Sequence, residues 1–466
     1  MWHGTSRRII SRLYHSPPPL LQDLTQRGFV QDISSPEAFR NAVISRKHTA
    51  YVGVDPTAAA LHIGHLIPLM CLLHFQLRGH RIIPLIGGAT GRVGDPSGRS
   101  VERQLAENDK IEHNVVRLSS SLRRFFKNAS HYARSRLSLD DNSFADPCVV
   151  SNLDWHGSFG LLEFLQKVGV HARVNTMLNR ESVRARLAAQ QGLSFTEFTY
   201  QLLQAYDFYH LHQHHGCTIQ IGGSDQWGNI VAGLELIGKL AAGGVFSEQR
   251  STDCYGITTP LLTTSTGEKF GKSAGNAIWL EADLTSVFDF YQYFLKVADA
   301  DVERLLKLFT FLQHDEITAI MEEHTGNPEQ RLAQRRLAAE VTEMVHLEAG
   351  VTQAIVMTKL LFDSNYVSLN AQDIVSAFRG DPRLVTVSAD EIMNNPITKL
   401  AAKYGLVLSN SAAKNLVASR GLYINNQPIH DSQYRAKTAD LLDGKLLILR
   451  AGKDKMLVLA ASPEDS

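Results

Sequence analysis

Along the first two thirds of the chain, short apolar runs of strand length alternate with longer runs of helical period. Tyr51, Val52 and Val54 break at Asp55-Pro56-Thr57, the pattern of a strand entering a turn. An apolar run of helical character then follows His62-Ile63-Gly64-His65 as far as Leu77, closed by Gly79. Pro68 is harmless only in a first turn, so this helix is predicted to begin near Gly64 or His65. Residues 81–86 (RIIPLI) read as a second strand, residues 217–221 as a third and residues 260–263 as a last short one. Residues 21–48, 110–126 and 159–215 read as mostly helical, and the polar stretch 128–148 reads as a surface insertion.

From Ser286 the pattern changes to helix after helix. Asn327-Pro328 with Gln330 predicts a capped helix start, with Arg331, Arg335 and Arg336 beside it. Asn394-Asn395-Pro396 marks a linker. Beyond it, a helix over 411–417 and strands over 421–427 and 446–449 suggest a small α/β unit. That tail carries ten lysines and arginines, set against Asp431, Asp440, Asp443 and Asp454, as an RNA-binding module would. The expected organisation is a leader over 1–20, an α/β domain over 21–285, a helical domain over 286–393 and a small α+β domain over 397–466.

Candidate chemistry gathers where strands end, the usual ligand position in alternating β/α chains. His62 and His65 sit at a helix mouth, where free amides and the positive end of the dipole suit phosphate, and Gly64 leaves room for a flat group. Thirteen residues from Gly87 to Arg99 form a glycine-rich loop whose amides can approach a ligand, with Arg99 and Arg103 suited to phosphate. In the helical run after Phe195, Tyr200, Gln204 and Asp207 fall at i, i+4 and i+7. An amide and a carboxylate on such a stripe are costly to bury unpaired, so it reads as the wall of a polar pocket. Gly222-Gly223-Ser224-Asp225-Gln226 repeats the strand–loop–helix design, and Thr266 to Ser273 forms a loop with two lysines three apart.

Composition changes this picture in two places. The 466 residues carry a formal net charge of zero, so a nucleic acid must be met by local patches. The four cysteines are far apart, which argues against a disulfide framework or a zinc site, and no apolar run approaches membrane-spanning length. The first twenty residues stand apart. They hold Arg7, Arg8 and Arg12, several hydroxyls and no acid, the composition of a mitochondrial import peptide, which implies the mitochondrial matrix.

Asp55-Pro56-Thr57-Ala58 with His62-Ile63-Gly64-His65 resembles the HIGH signature of class I aminoacyl-tRNA synthetases in their tyrosyl branch. Lys269-Phe270-Gly271-Lys272-Ser273 resembles the second class I signature in its bacterial-type tyrosyl variant. The resemblance runs in order from Leu21 to the C-terminus. It implies a Rossmann-like catalytic domain, an α-helical anticodon-arm domain and an S4-like α+β domain. It also implies L-tyrosine, tRNA(Tyr) and ATP with Mg²⁺ as its counter-ion, no tightly bound protein metal, a homodimer and no membrane.

Carried over residue by residue, Thr57, His62 and His65 attend the ATP phosphates and ribose. Lys269, Lys272, Arg99 and Arg103 close on the pyrophosphate. Asp95, Tyr200 and Gln204 hold the tyrosine amino group, with Gln226 beside them. Asp225 holds the ribose, and Gly53, Asp55, Gly64 and Ser273 lie on the ATP side. Tyr51 and Asp207 read the phenolic hydroxyl. Arg99 stands where the bacterial enzymes commonly carry lysine, which keeps the charge and changes the geometry. Tryptophanyl enzymes share the architecture, but Tyr51, Asp207 and the C-terminal domain favour the tyrosyl branch. A synthetase-derived RNA-binding or splicing factor is the rival from another class.

Overall fold

The computed structural model describes residues 18–98, 107–137, 144–188, 192–241, 253–267, 270, 272–273, 276–362, 369–452 and 455–462, without the side chains of 272, 273 and 276. The chain divides into two compact units, residues 1–347 and 348–466. The first unit is built on six strands: β1 (Asp32–Ile33), β2 (Thr49–Val54), β3 (Arg81–Ile86), β4 (Val150–Ser151), β5 (Cys217–Gly223) and β6 (Tyr255–Thr259). Their order is β1-β6-β5-β2-β3-β4, parallel throughout except for β1 against β6. Helices α1 (Leu66–Gln76), α2 (Asn108–Leu137), α3 (Phe195–His215) and α4 (Trp227–Ala241) connect and cover it. Both β2 and β3 are buried at nearly every position, as parallel strands covered on two faces must be. α1 is apolar all round and correspondingly buried.

Three expectations change. The last strand of the sheet is Tyr255–Thr259 and stops before Pro260, which has no N–H for a ladder. The stretch expected to be irregular from 128 is helical as far as Leu137. Leu118, Leu122, Phe125, Ala129 and Tyr132 recur at helical spacing and are buried. Asn128 Nδ2 donates to the Val345 carbonyl at 2.8 Å and Tyr132 Oη to Glu340 at 2.5 Å, so this segment is packed against its own chain. Finally, Asn327 makes no capping bond. Arg331 donates to the Leu295 and Val297 carbonyls and Arg336 pairs with Glu340, so these two cations serve the fold.

A buried ion cluster ties the N-terminal helix Leu20–Arg27 to α1. The Asp23 carboxylate, 3% exposed, meets Arg27 at 2.7 Å and Arg78 at 2.5 Å, and His74 lies 3.4 Å away. Burial alone would raise the Asp23 pKa, but His74 and the two guanidiniums hold it well below the usual carboxylate range. Replacing Asp23 with Asn leaves two buried guanidiniums without their counter-charge. Stability should fall by about 3–5 kcal/mol in chemical denaturation. Burial also pushes His74 and His80 down to about 4 from the ordinary 6.5. The unfolded chain takes up those protons first, so their contribution is full above pH 6.5. It is lost as pH falls toward 4, by about 1.4 kcal/mol per pH unit for each histidine. Denaturation midpoints that stay flat between pH 7.5 and 5 would contradict this.

The second unit holds a five-stranded sheet of β7 (Leu384–Ser388), β8 (Leu422–Ile424), β9 (Gln427–Pro428), β10 (Leu446–Ala451) and β11 (Lys455–Ser462), in the order β9-β8-β10-β11-β7. Helix Asn410–Ala418 covers it, around a core that includes Ile392, Ile397, Leu400, Leu447 and Leu459. β7 pairs parallel with β11, so the expected linker at 394–396 lies inside this unit. The interruption sits upstream, at Leu347, where a φ of 64° breaks the helical run Leu332–Phe362. The charge reading changes with the boundary. Counting Glu464 and Asp465, residues 348–466 carry thirteen lysines and arginines against twelve aspartates and glutamates. Arg450 is also spent on the Leu360 and Leu361 carbonyls.

Candidate active site

At the carboxyl ends of β2, β3 and β5 the sheet opens into a cavity of about 340 Å³. Twelve of the candidate residues line it: Tyr51, Gly53, Asp55, Thr57, Gly64, His65, Asp95, Tyr200, Gln204, Asp207, Asp225 and Gln226. His62 stacks on His65 with ring centroids 3.9 Å apart. Arg99, Arg103 and Lys269 lie outside the described residues. Lys272 and Ser273 have described backbone only, in a short hairpin with residues 276–277.

The helix mouth works differently from the expectation of free amides. A 3₁₀ turn, Ile63–His65, precedes α1. The His62 N–H donates to His65 Nδ1 at 3.1 Å and the Gly64 N–H to His62 Nδ1 at 3.0 Å. The Ile63 N–H goes to the Ile278 carbonyl and the His65 N–H to that of His62. Every amide of the signature is therefore occupied. Each imidazole accepts through Nδ1, so its Nε2 carries the proton and is a donor. Burial, with His62 beside it, pushes His65 down to about 3, so it donates as a neutral ring. A Cβ at Gly64 would lie 2.8 Å from the His62 imidazole and would push that ring from its stack on His65.

Four aspartates line the cavity, and among its described lining residues there is no lysine or arginine. Each aspartate whose partners are resolved is held in place. Asp55 accepts from Tyr200 Oη and Thr90 Oγ1, both at 2.8 Å. Asp95 accepts from Gln226 Nε2 at 2.7 Å and the Ser97 N–H at 2.9 Å. Asn229 bridges the amides of Gln204 and Gln226. Burial, then Asp55 and Asp95, raise the Tyr200 pKa, so its hydroxyl stays a donor.

At the inner end, Tyr51 sits in the middle of β2, with its ring against Phe208. Its hydroxyl is buried and finds no partner among the described residues. Asp207 accepts from Asn152 at 3.0 Å and from Trp155 and His156 at 2.8 Å. Sequence reasoning passed over Asn152, Trp155 and His156. The available signal was their position just after β4, at the carboxyl edge of the sheet.

Residues 278–280, a few positions after the second signature, are joined through the backbone to residues 61–63 at the first. Ile63 donates to Ile278, Leu280 donates to Leu61, and the Trp279 ring lies 5.8 Å from His62. The described lining, four carboxylates among neutral hydroxyl, amide and imidazole groups, suits a ligand that carries a cationic group.

Comparison with known proteins agrees with this geometry. The family model for tRNA synthetases class I (W and Y) matches residues 45–363, and that for the tyrosine–tRNA ligase SYY-like C-terminal domain matches 373–459. The mitochondrial tyrosine–tRNA ligase of Saccharomyces cerevisiae is 41% identical over 94% of this chain and 88% of its own length. The tyrosine–tRNA ligase of Streptococcus mutans is 39% identical over 94% of this chain and 99% of its own. A C-terminally truncated Aspergillus nidulans mitochondrial tyrosyl-tRNA synthetase superposes with a TM-score of 0.68 and 35% identity, covering 74% of this chain and 95% of that one. This chain belongs to the tyrosine–tRNA ligase family of class I aminoacyl-tRNA synthetases.

Proposed function

We propose that the chain joins L-tyrosine to tRNA(Tyr) in the mitochondrial matrix, in two steps. The tyrosine carboxylate attacks the α-phosphate of ATP, giving tyrosyl-adenylate and expelling pyrophosphate. A terminal ribose hydroxyl of the tRNA then attacks the tyrosyl carbonyl carbon, and AMP leaves. Neither step needs a protein nucleophile. Catalysis consists of alignment and of stabilising the charge on the transferring phosphate.

The observation that carries this reading is the backbone joining of Leu61–Ile63 to Ile278–Leu280, which holds the chain five residues beyond the second signature beside the first. Asp95, with Tyr200 and Gln204, receives the tyrosine ammonium, and Gln226 holds Asp95 toward it. Thr57, His62 and His65 offer neutral donors to phosphate oxygens, and Asp225 takes the ribose. Lys269, Lys272, Arg99 and Arg103 meet the leaving pyrophosphate. Mg²⁺ enters with ATP as its counter-ion and shares that charge. Tyr51 and Asp207 read the phenolic hydroxyl. The arginine-bearing leader supports import, as do the mitochondrial relatives.

Pyrophosphate exchange with each of the twenty amino acids tests this. Tyrosine alone should drive exchange. Exchange driven by tryptophan would move the chain to the neighbouring branch, and exchange with none would favour an RNA-binding role without chemistry.

A homodimer finds support in one apolar face. Leu161 (72% exposed), Leu165 (48%), Val174 (60%) and Phe195 (78%) stand in solvent around a groove lined by Phe159, Phe164 and Met177. Single exposed apolar residues are ordinary, but a contiguous set marks an interface. Val174→Asp should shift the protein to monomer in sedimentation at micromolar concentration. An unchanged sedimentation coefficient would move the interface elsewhere.

A further inference from the structure

We propose that His156 is a positioning residue for the phenolic hydroxyl of tyrosine, fixing the Asp207 carboxylate so that one acceptor position is left for that hydroxyl. The inference rests on the assignment of Asp207 to the hydroxyl made above. An ionised carboxylate has about four acceptor positions, two on each oxygen. Trp155 Nε1 and His156 Nε2 both reach Oδ1 at 2.8 Å, which fills that oxygen. Asn152 Nδ2 takes one position on Oδ2 at 3.0 Å. Among the described residues, one position on Oδ2 remains. Since a carboxylate only accepts, His156 Nε2 carries the proton of its bond.

The three donors are not equivalent. Asn152 is braced from outside the pair, accepting the Ala89 N–H at 2.7 Å and donating to Thr90 Oγ1 at 3.0 Å. Trp155 is braced by its ring, which stacks on His210 at 4.3 Å. His156 sits at the end of the short helix Leu153–His156 and spends its Nε2 on Asp207 alone, its ring lying beside Tyr206. Its side chain is 6% exposed and that of Asp207 2%, so this bond is not screened as a surface pair would be. Without it, Oδ1 keeps a single donor. The carboxylate is then freer to turn about its last torsion, and its charge is less compensated. The loss falls on tyrosine binding, ahead of the chemical step.

The experiment compares wild type with H156L, H156Q and D207N in pyrophosphate exchange driven by tyrosine and by phenylalanine, with a thermal melt of each. H156L should raise KM for tyrosine about tenfold and keep kcat within about twofold. Its tyrosine-to-phenylalanine ratio of kcat/KM should drop about tenfold. H156Q keeps an N–H donor and should recover KM and the ratio to within about threefold. D207N should collapse the ratio further. If D207N lowers the ratio while H156L leaves it and KM unchanged, the positioning role is overturned and the hydroxyl assignment stands. If D207N leaves the ratio unchanged, the hydroxyl assignment itself fails, and this inference with it. A lowered melting temperature with reduced kcat in both His156 variants, without recovery in H156Q, would make the residue merely structural and overturn the proposal.

Discussion

Tyrosyl-adenylate formation by the Lys272→Ala variant falls about 10²–10³-fold, while tyrosine affinity stays within about twofold. The expectation comes from the charge of the cavity. Its described lining holds Asp55, Asp95, Asp207 and Asp225 without a lysine or arginine, and its inner histidine, His65, is neutral. Such a pocket welcomes an ammonium and repels a triphosphate. Thr57 and the imidazole N–H groups can order phosphate oxygens, but they do not offset the charge that grows on a departing pyrophosphate. On the reading proposed above, the lysines of the loop after β6 share that charge with Arg99 and Arg103.

The loop's anchors support that. Phe270 is buried against Tyr293, and its N–H reaches the Leu262 carbonyl at 3.0 Å. Six residues beyond Lys272, the Ile278 carbonyl is bonded to the first residue of the 3₁₀ turn. Lys272, between these two anchors, is within reach of the first signature, since six residues span at most about 20 Å. Single-turnover adenylation and equilibrium tyrosine binding check the claim. An equal loss in both would make the loop a structural element.

The parts of the fold that were legible are those where local pattern and tertiary environment ask for the same thing. β3 stands at residues 81–86 as its apolar run suggests, and Pro68 does set the start of α1. The boundary at 394–396 misled because a turn-rich Asn-Asn-Pro has the same local signature inside a domain as between domains. Only the pairing of β7 with β11, some seventy residues apart, reveals which it is. The last strand was misjudged for a related reason. Tyr255 to Thr259 contains Gly256 and two threonines and reads weakly, although all five residues are buried between β5 and β1.

In the site, twelve residues named from their motifs come together around one cavity. What those motifs do could not be named from sequence. The amides of His62 to His65 look free in sequence and are all occupied in the fold, so the donors offered to a ligand are ring nitrogens. Likewise, Asn152, Trp155 and His156 carry no spacing that links them to Asp207. They converge on it because β4 lies at the sheet edge beside β3.

Tyrosine differs from phenylalanine by one hydroxyl, and a purely apolar slot would separate them weakly. A site whose buried polar groups need that hydroxyl separates them strongly, a rule for which tyrosyl enzymes are themselves the usual illustration. Tyr51 and Asp207 meet that description unequally. The Tyr51 hydroxyl is buried without a partner among the described residues, and burial, with Asp207 nearby, holds its pKa well above the ordinary value. It is a neutral donor in search of an acceptor. Tyr51→Phe therefore loses one neutral hydrogen bond to the ligand, about 1 kcal/mol or roughly fivefold in the tyrosine-to-phenylalanine ratio. The same change removes an unsatisfied buried group from the free enzyme, so its denaturation midpoint should hold or rise. Asp207→Asn lowers the ratio further and moves the midpoint in the opposite sense. It sets an amide, with N–H groups of its own, among the donors of Asn152, Trp155 and His156 and removes the charged acceptor. The ratio should fall at least about 10²-fold and the midpoint should drop. Exchange kinetics with both amino acids, paired with denaturation of both variants, checks the contrast. Equal effects of the two substitutions on the ratio would mean that Asp207 does not face the hydroxyl.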